Sequence, residues 1–499
     1  MLRKVIPLCL LSAALLALSN SFSNLGFLAC FGFVPLFFAL GNKSKVKRFF
    51  LAYLTGALFW AGTIYWLVHV TLPGTIILVL YLALYFGVFG IFVFSPQPTT
   101  NPNPIVIIPA TWVILEYIRS YLFTGFPWAL LGYSQYKILP VIQIADITGV
   151  WGVSFLVMLV NVALYQATRQ SGNQAIRKKL ILPVICLAGV LIYGLFKLSP
   201  HNPQLTPTPI KVSVIQGNIA QELKWDERAM DYIVGKYCSL SEKAAGGTPD
   251  LIIWPEAASP GLFGQDDDIF ERFYALTKKI KIPILLGAVT RSKDIFFNSA
   301  LLIGSDGRIA GRYDKLHLVP FGEYIPLKKF LPFLETVVPI GDINAGKEYT
   351  IFQIRNPKSQ IRNKFAVLIC FEDLFPELSR EFVKRGAGFL VNITNDAWYK
   401  SSTAPYQHLQ ASVLRAVENR VTLARAANTG ISGFISPHGK IISLVRDKYR
   451  RNIFIDGFDT EYVSPGKGEL SFYTRFGDIF IACCLIFLFY GIIWYNTEI

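Results

Sequence analysis

Apolar positions crowd the first 200 residues of the chain and return in the last 25, while the stretch between alternates short apolar and polar blocks. Runs of about 20 mostly apolar residues are long enough to cross a bilayer as helices. Eight such runs lie near residues 5–20, 24–41, 48–68, 74–94, 105–122, 149–168, 180–197 and 476–495. The middle stretch predicts strands at Ile210–Gln216, Leu251–Trp254, Ile282–Val289, Ser299–Ile303, Ala366–Cys370 and Phe389–Ile393. It predicts helices over 226–245, 267–280, 376–386 and 406–427, the last with Leu409, Val413, Leu414, Val417, Val421 and Ala424 at helical spacing. Strands alternating with helices predict a layered α/β domain. The expected organisation is seven membrane helices over 1–198, a Pro-rich linker over 199–209, an α/β domain over 210–474 and an eighth membrane helix over 475–499.

Charge sets the expected orientation. Arg3 and Lys4, then Lys43, Lys45, Lys47 and Arg48, then Arg169, Arg177, Lys178 and Lys179 all fall on one side if the spans alternate. Basic short loops mark the cytoplasmic side, so both termini are expected inside and the α/β domain outside. Met1-Leu-Arg-Lys4 before an apolar run is also a signal-peptide pattern. Only 16% of the 499 residues are charged, against about 25% in soluble domains. The net charge of +15 comes without a basic run interleaved with aromatics, so no nucleic-acid partner is expected. The five histidines are scattered and show no metal-ligand spacing, so neither metal nor cofactor is expected. Of seven cysteines, Cys9, Cys30, Cys186, Cys483 and Cys484 lie in apolar spans. Cys238 and Cys370 remain, and a free thiol is favoured at Cys370 over a disulfide between them.

Three strand ends carry chemistry. Phe365-Ala-Val-Leu-Ile-Cys370-Phe-Glu-Asp373 ends an apolar run in a thiol, Asp250-Leu-Ile-Ile-Trp-Pro-Glu256 ends one in a carboxylate, and Gly311-Arg-Tyr-Asp-Lys315 delivers an amine. Taken singly, each has a bland explanation: a solvated loop carboxylate, a surface charge, a core cysteine. Together they are the parts of a nucleophilic acyl-transfer site, in which a base takes the thiol proton and an ammonium stabilises the oxyanion.

Trp254-Pro-Glu256, Lys315 followed by His317-Leu-Val-Pro-Phe-Gly-Glu323, and Cys370-Phe-Glu372 resemble the Glu-Lys-Cys signature of the nitrilase, or carbon–nitrogen hydrolase, superfamily. The likeness is closer still to its membrane branch, the apolipoprotein N-acyltransferases. It extends to Thr124-Gly-Phe-Pro-Trp-Ala129, Gln216-Gly-Asn218, Asn298-Ser-Ala300, Asn395-Asp-Ala-Trp398 and Arg425-Ala-Ala-Asn-Thr-Gly430. A mild departure is Phe371, where an aromatic, often Tyr, is common.

The resemblance implies eight spans and an extracytoplasmic nitrilase-like α-β-β-α sandwich, in a bacterial inner membrane with that domain on the periplasmic side. It implies that an acyl chain leaves the sn-1 position of a phospholipid, typically phosphatidylethanolamine. Through a thioester it reaches the N-terminal amine of diacylglyceryl-cysteine in an apolipoprotein, the last step of lipoprotein maturation. Glu256 is then the general base, Lys315 the oxyanion partner with a backbone N–H near Phe371, and Cys370 the nucleophile. Glu323 supports the site and orients Lys315; Glu372 does likewise or is a solvated carboxylate. Trp225 suits a lipid interface or a mobile arm, or anchors a helix start to the core. Asn298 bonds to the site or serves the core or a turn. Glu116 and Arg119 pair with each other or meet head groups. Two alternatives stay open: a membrane-anchored amidase that passes the acyl group to water, and a transporter with an extracytoplasmic binding domain.

Overall fold

A computed structural model describes residues 2–22, 24–93, 104–169, 173–199, 209–224, 226–263, 265–324, 343–355, 362–466 and 468–497. The chain divides into two compact units. One comprises Met1–Pro203, Ser402–Glu418 and Ser471–Ile499; the other comprises Gln204–Ser401 and Asn419–Leu470.

The first unit is helical. Among the described residues, the helical stretches Leu72–Phe92, Val150–Thr168 and Leu180–Leu198 are long and apolar enough to cross a membrane. Shorter apolar helical stretches cover Val5–Ser21, Gly26–Leu40, Leu139–Thr148 and Ile479–Tyr490. The run expected as one span over 24–41 is a short 3-10 turn, Gly26–Cys30, followed by a seven-residue helix, Val34–Leu40. Small residues bring helices together: a Cβ on Gly90 would stand 2.6 Å from the Ala52 side chain and 2.7 Å from the Arg48 carbonyl, the close approach that membrane helices favour. Phe33, Phe86 and Phe89 pack their rings on Trp112. Glu116 and Arg119 do more than face each other. Glu116 Oε1 accepts from the Leu131 N–H at 2.7 Å, and Arg119 Nη1 donates to the carbonyls of Phe126 and Trp128 at 2.5 and 2.9 Å. They fasten the loop that carries the Phe-Pro-Trp motif.

The second unit is an α/β domain with two sheets. The strands are β1 (Ile210–Gln216), β2 (Leu251–Ile253), β3 (Leu262–Phe263), β4 (Ile284–Ser292), β5 (Ile295–Ile303), β6 (Ile309–Asp314), β7 (Phe352–Arg355), β8 (Arg362–Ile369), β9 (Phe389–Thr394), β10 (Thr422–Ala427), β11 (Gly433–Ile435), β12 (Ile441–Leu444) and β13 (Gly457–Val463). The first sheet runs β13-β1-β2-β4-β5-β6 with β3 beside β4, and the second runs β12-β11-β10-β9-β8-β7. Strands β1, β2 and β4 are mutually parallel, as are β8, β9 and β10. Helices Met230–Ala245 and Asp267–Ile280 lay Ile233, Tyr237, Phe270 and Phe273 on Ile252, Trp254, Ile284 and Leu286. Trp254 stacks on Tyr237 at 5.0 Å and donates its indole N–H to Ser241 at 2.8 Å.

One expected element is corrected. The helix predicted over 406–427 is a helix only over Ala404–Asn419; Thr422–Ala427 is strand β10. Arg420 takes a positive φ of 53° and breaks the helix. Beyond it, β10 is buried on both faces between β9 and β11, so an unbroken apolar run fits the strand as well as a helix. The helix itself lies largely in the first unit. Its Gln407 accepts the indole N–H groups of Trp66 and Trp128 at 3.1 and 2.7 Å, and its Glu418 accepts from the Val150 N–H at 2.8 Å.

Candidate active site

The carboxyl ends of parallel strands are where open α/β sheets present ligand-binding groups. Glu256 follows β2, Cys370 follows β8, and Asn395 and Asp396 follow β9. Lys315 follows β6, an antiparallel strand of the first sheet. The apolar strands are needed because they hold these turns rigidly. Gly287 in β4 makes the Glu256 turn possible: its N–H donates to the Pro255 carbonyl at 3.1 Å, and a Cβ there would stand 2.6 Å from the Glu256 Cα.

The turns are strained. Ala257, Phe321 and Cys370 have φ of 45°, 57° and 54°, and left-handed backbone costs a non-glycine residue roughly 1–2 kcal/mol. Such strain concentrates where the surrounding structure fixes a functional group. Cys370 is not the last residue of its strand, as expected, but the first of a short 3-10 turn, Cys370–Leu374.

Lys315 is 1% exposed, and its Nζ lies 2.8 Å from Glu323 Oε2 and 3.6 Å from Glu256 Oε1. Asn298, in β5, donates its amide to Glu256 Oε1 at 2.8 Å and to Glu323 Oε1 at 2.7 Å. Glu323 also accepts the Val319 N–H at 2.8 Å. The structure thus brings the buried Glu256, Lys315 and Asn298 together with the partly exposed Glu323 in one cluster. Burial works against the Lys315 charge, but Glu323 and Glu256 outweigh it and hold the ammonium above the ordinary lysine range. Burial drives the Cys370 thiol well above its ordinary value, and Glu256 adds to this. The Lys315 charge pulls the other way. The resting group is therefore a thiol, and attack on a carbonyl needs a base to take its proton.

Glu372 is not solvated. It is fully buried, accepting the Tyr313 hydroxyl at 2.9 Å, the N–H groups of Leu316 and His317 at 2.7 and 3.1 Å, and that of Ile369 at 2.7 Å. It ties the end of β8 to the loop after Lys315. Phe371 is 6% exposed and packs beside His317, whose ring lies 3.7 Å from that of Phe375. Trp225 lies outside the described residues, as does 200–208 of the linker.

Sequence reasoning missed Lys224. It is 4% exposed, and its Nζ donates to the carbonyls of Glu256 and Ala257 at 3.2 and 3.0 Å. Burial pushes its pKa down to about 8 against the pull of Glu256 and Cys370. A lysine in the polar run Gln-Glu-Leu-Lys224-Trp-Asp gives no sign of burial. Cys238 and Cys370 are both free thiols.

Residues 12–163 match the apolipoprotein N-acyltransferase N-terminal domain, and residues 211–467 match the carbon–nitrogen hydrolase family. The chain is 41% identical to the apolipoprotein N-acyltransferase of Geobacter metallireducens, over 96% of this chain and 92% of that one. The chain belongs to the apolipoprotein N-acyltransferase family. A relative from Pasteurella multocida, also an apolipoprotein N-acyltransferase, is 30% identical over 89% of this chain and 86% of its own. Membership spans both units, so the helical unit and the nitrilase-like α/β domain belong to one family architecture.

Proposed function

We propose that the protein is an acyltransferase that moves an acyl chain from the sn-1 ester of a membrane phospholipid, phosphatidylethanolamine for preference, through a Cys370 thioester to the N-terminal amine of diacylglyceryl-cysteine in apolipoproteins. The observation that carries this reading is the buried Lys315 ammonium held between Glu256 and Glu323 with its charge acting on the Cys370 thiol, in a chain of this family.

In the first half-reaction Glu256 takes the Cys370 proton as sulfur attacks the ester carbonyl. The Lys315 ammonium faces the oxyanion. The tetrahedral intermediate collapses, the carbon–oxygen bond breaks, and the lysophospholipid alkoxide leaves with the proton from Glu256. In the second half-reaction the acceptor amine gives a proton to Glu256 and attacks the thioester. The carbon–sulfur bond then breaks and Cys370 recovers its proton. This two-step course gives ping-pong kinetics.

One substrate is a phospholipid and the other a lipid-anchored protein, both held in the bilayer, which accounts for a catalytic α/β domain joined to an apolar helical unit. The proposal includes eight spans, the domain organisation over 1–198, 199–209, 210–474 and 475–499, both termini in the cytoplasm and the α/β domain outside it. The basic loops support this orientation. A reporter active only outside the cytoplasm should work when fused near Gln204 and fail near Gln174; the reverse pattern overturns the topology. The chemistry is tested by mass spectrometry of the purified protein after exposure to phospholipid. The expected result is an acyl adduct on Cys370. Its absence, with product still formed, overturns the thioester route.

A further inference from the structure

Behind Cys370 lies a charged cluster that the reaction above does not use. Arg425, in β10, is 1% exposed. Its Nη1 donates to Asn392 Oδ1 at 2.6 Å and to Asp373 Oδ2 at 3.2 Å, and its Nη2 donates to Asp396 Oδ2 at 3.4 Å. Asn392, Asp373 and Asp396 are fully buried. Asn392 in turn donates its amide to the carbonyls of Cys370 and Leu368 at 3.1 and 3.2 Å. The guanidinium is thus linked to the backbone of Cys370 through a single side chain. Gly430 closes the cluster: the Asp396 carboxylate packs so tightly against it that any side chain there would collide.

Two needs of the nucleophile meet here. Cys370 sits in a left-handed conformation, φ 54°, that its surroundings must enforce. The Asn392 amide, gripping the carbonyls of residues 368 and 370, supplies that grip. The second need is electrostatic. Among the described residues, the ionisable groups acting on the thiol include Glu256 after β2, Asp396 and Tyr399 after β9, Lys315 after β6 and Lys224 after β1. Asp396 opposes a thiolate, and an uncompensated buried carboxylate opposes it more strongly.

We infer that Arg425 and Asn392 are positioning residues for the nucleophile: the guanidinium screens the Cys370 sulfur from Asp396 and orients Asn392, which fixes the Cys370 backbone. This rests on Cys370 being the acyl-carrying thiol. A merely structural Arg425 would brace the sheet and leave the ionisation of Cys370 unchanged.

The test follows alkylation of Cys370 by iodoacetamide against pH in the full-length protein, with the adduct read on the Cys370 peptide. Asp396→Asn leaves Arg425 paired with Asp373, so it avoids a stranded guanidinium. It should move the alkylation midpoint to lower pH, raising the rate at a fixed pH below it by about threefold, which corresponds to half a pKa unit. Arg425→Gln should move the midpoint up, and Arg425→Gln with Asp396→Asn should bring it back. Asn392→Ala should leave the midpoint in place yet slow thioester formation from phospholipid by about tenfold or more, as expected for a misplaced nucleophile. An unmoved midpoint in Asp396→Asn overturns the screening role even if Arg425→Gln fails to fold. Wild-type rates in Asn392→Ala overturn the positioning role. Failure of the underlying reading looks different: wild-type protein then forms product with no acyl adduct on Cys370.

Discussion

Glu323 Oε2 lies 2.8 Å from Lys315 Nζ, nearer than the 3.6 Å that separates the same ammonium from Glu256. The first partner of the lysine is therefore not the proposed base. If Glu323 takes up most of the ammonium charge, Glu256 remains available for a proton. Asn298, donating to both carboxylates, keeps them in register. Glu323→Gln should leave Lys315 to pair with Glu256 alone and weaken the base. Thioester formation, followed by rapid quench with phospholipid, should fall by about 100-fold, the lower end of what general base catalysis supplies. A variant within twofold of wild type would restrict Glu323 to holding its own loop.

Lys315 is proposed to act by charge placed at the oxyanion. Lys315→Met should cut thioester formation by about 100- to 1,000-fold, the loss typical of one oxyanion donor. It should also strand the carboxylates of Glu256 and Glu323, so folding needs checking by thermal unfolding. Lys315→Arg should not restore the rate, because a planar guanidinium does not fit a site built for a compact ammonium. A loss of only a few-fold in a folded Lys315→Met protein would make the residue structural.

The strand ends were legible in the sequence because an apolar run that stops at Glu256 or Cys370 leaves few other ways to place the side chain. The family pattern pointed to Glu323 and Asn298, but the hold of Asn298 on both Glu256 and Glu323 depends on β5 and the 315–324 loop meeting in space. Lys224 was invisible for a simple reason: its burial comes from contacts with the Glu256 turn, 32 residues away, and not from its polar neighbours. Glu372 left two readings open because a carboxylate after a strand end is polar whether it is solvated or enclosed by N–H donors. The break at Arg420 escaped notice because the fully buried β10 and a helix stripe both present continuous apolar residues.

Glu372 gives a pH dependence with a definite sign. Burial pushes its pKa up to about 7 from an ordinary 4.5; the Ile369 N–H, the Lys315 charge, the His317 N–H and the Tyr313 hydroxyl hold it from going higher. The folded state thus binds this proton more tightly than the unfolded chain does. The resulting stability is fully present below about 4.5 and is lost as pH rises through about 7. Thermal unfolding of the purified protein should show a midpoint that falls between these pH values. Glu372→Gln should flatten that part of the profile. An equal slope in both proteins would mean that Glu372 stays ionised throughout.

The proposed double use of Glu256 separates acyl transfer from hydrolysis. One carboxylate is to take the Cys370 proton in the first half-reaction and the amine proton in the second. Glu256→Gln should therefore impair both thioester formation from phospholipid and thioester discharge by a diacylglyceryl-cysteine peptide. In the wild-type protein, phospholipid alone should give a lasting thioester, since a transferase must keep water from its intermediate. The Cys370 surroundings favour that exclusion: the residue is 8% exposed, and the neighbouring Phe371 and, five residues on, Phe375 are buried. A peptide with a free amine should discharge the thioester within one turnover, and the same peptide with a blocked amine should not. A wild-type thioester that decays in water as fast without the peptide as with it would make the enzyme a hydrolase.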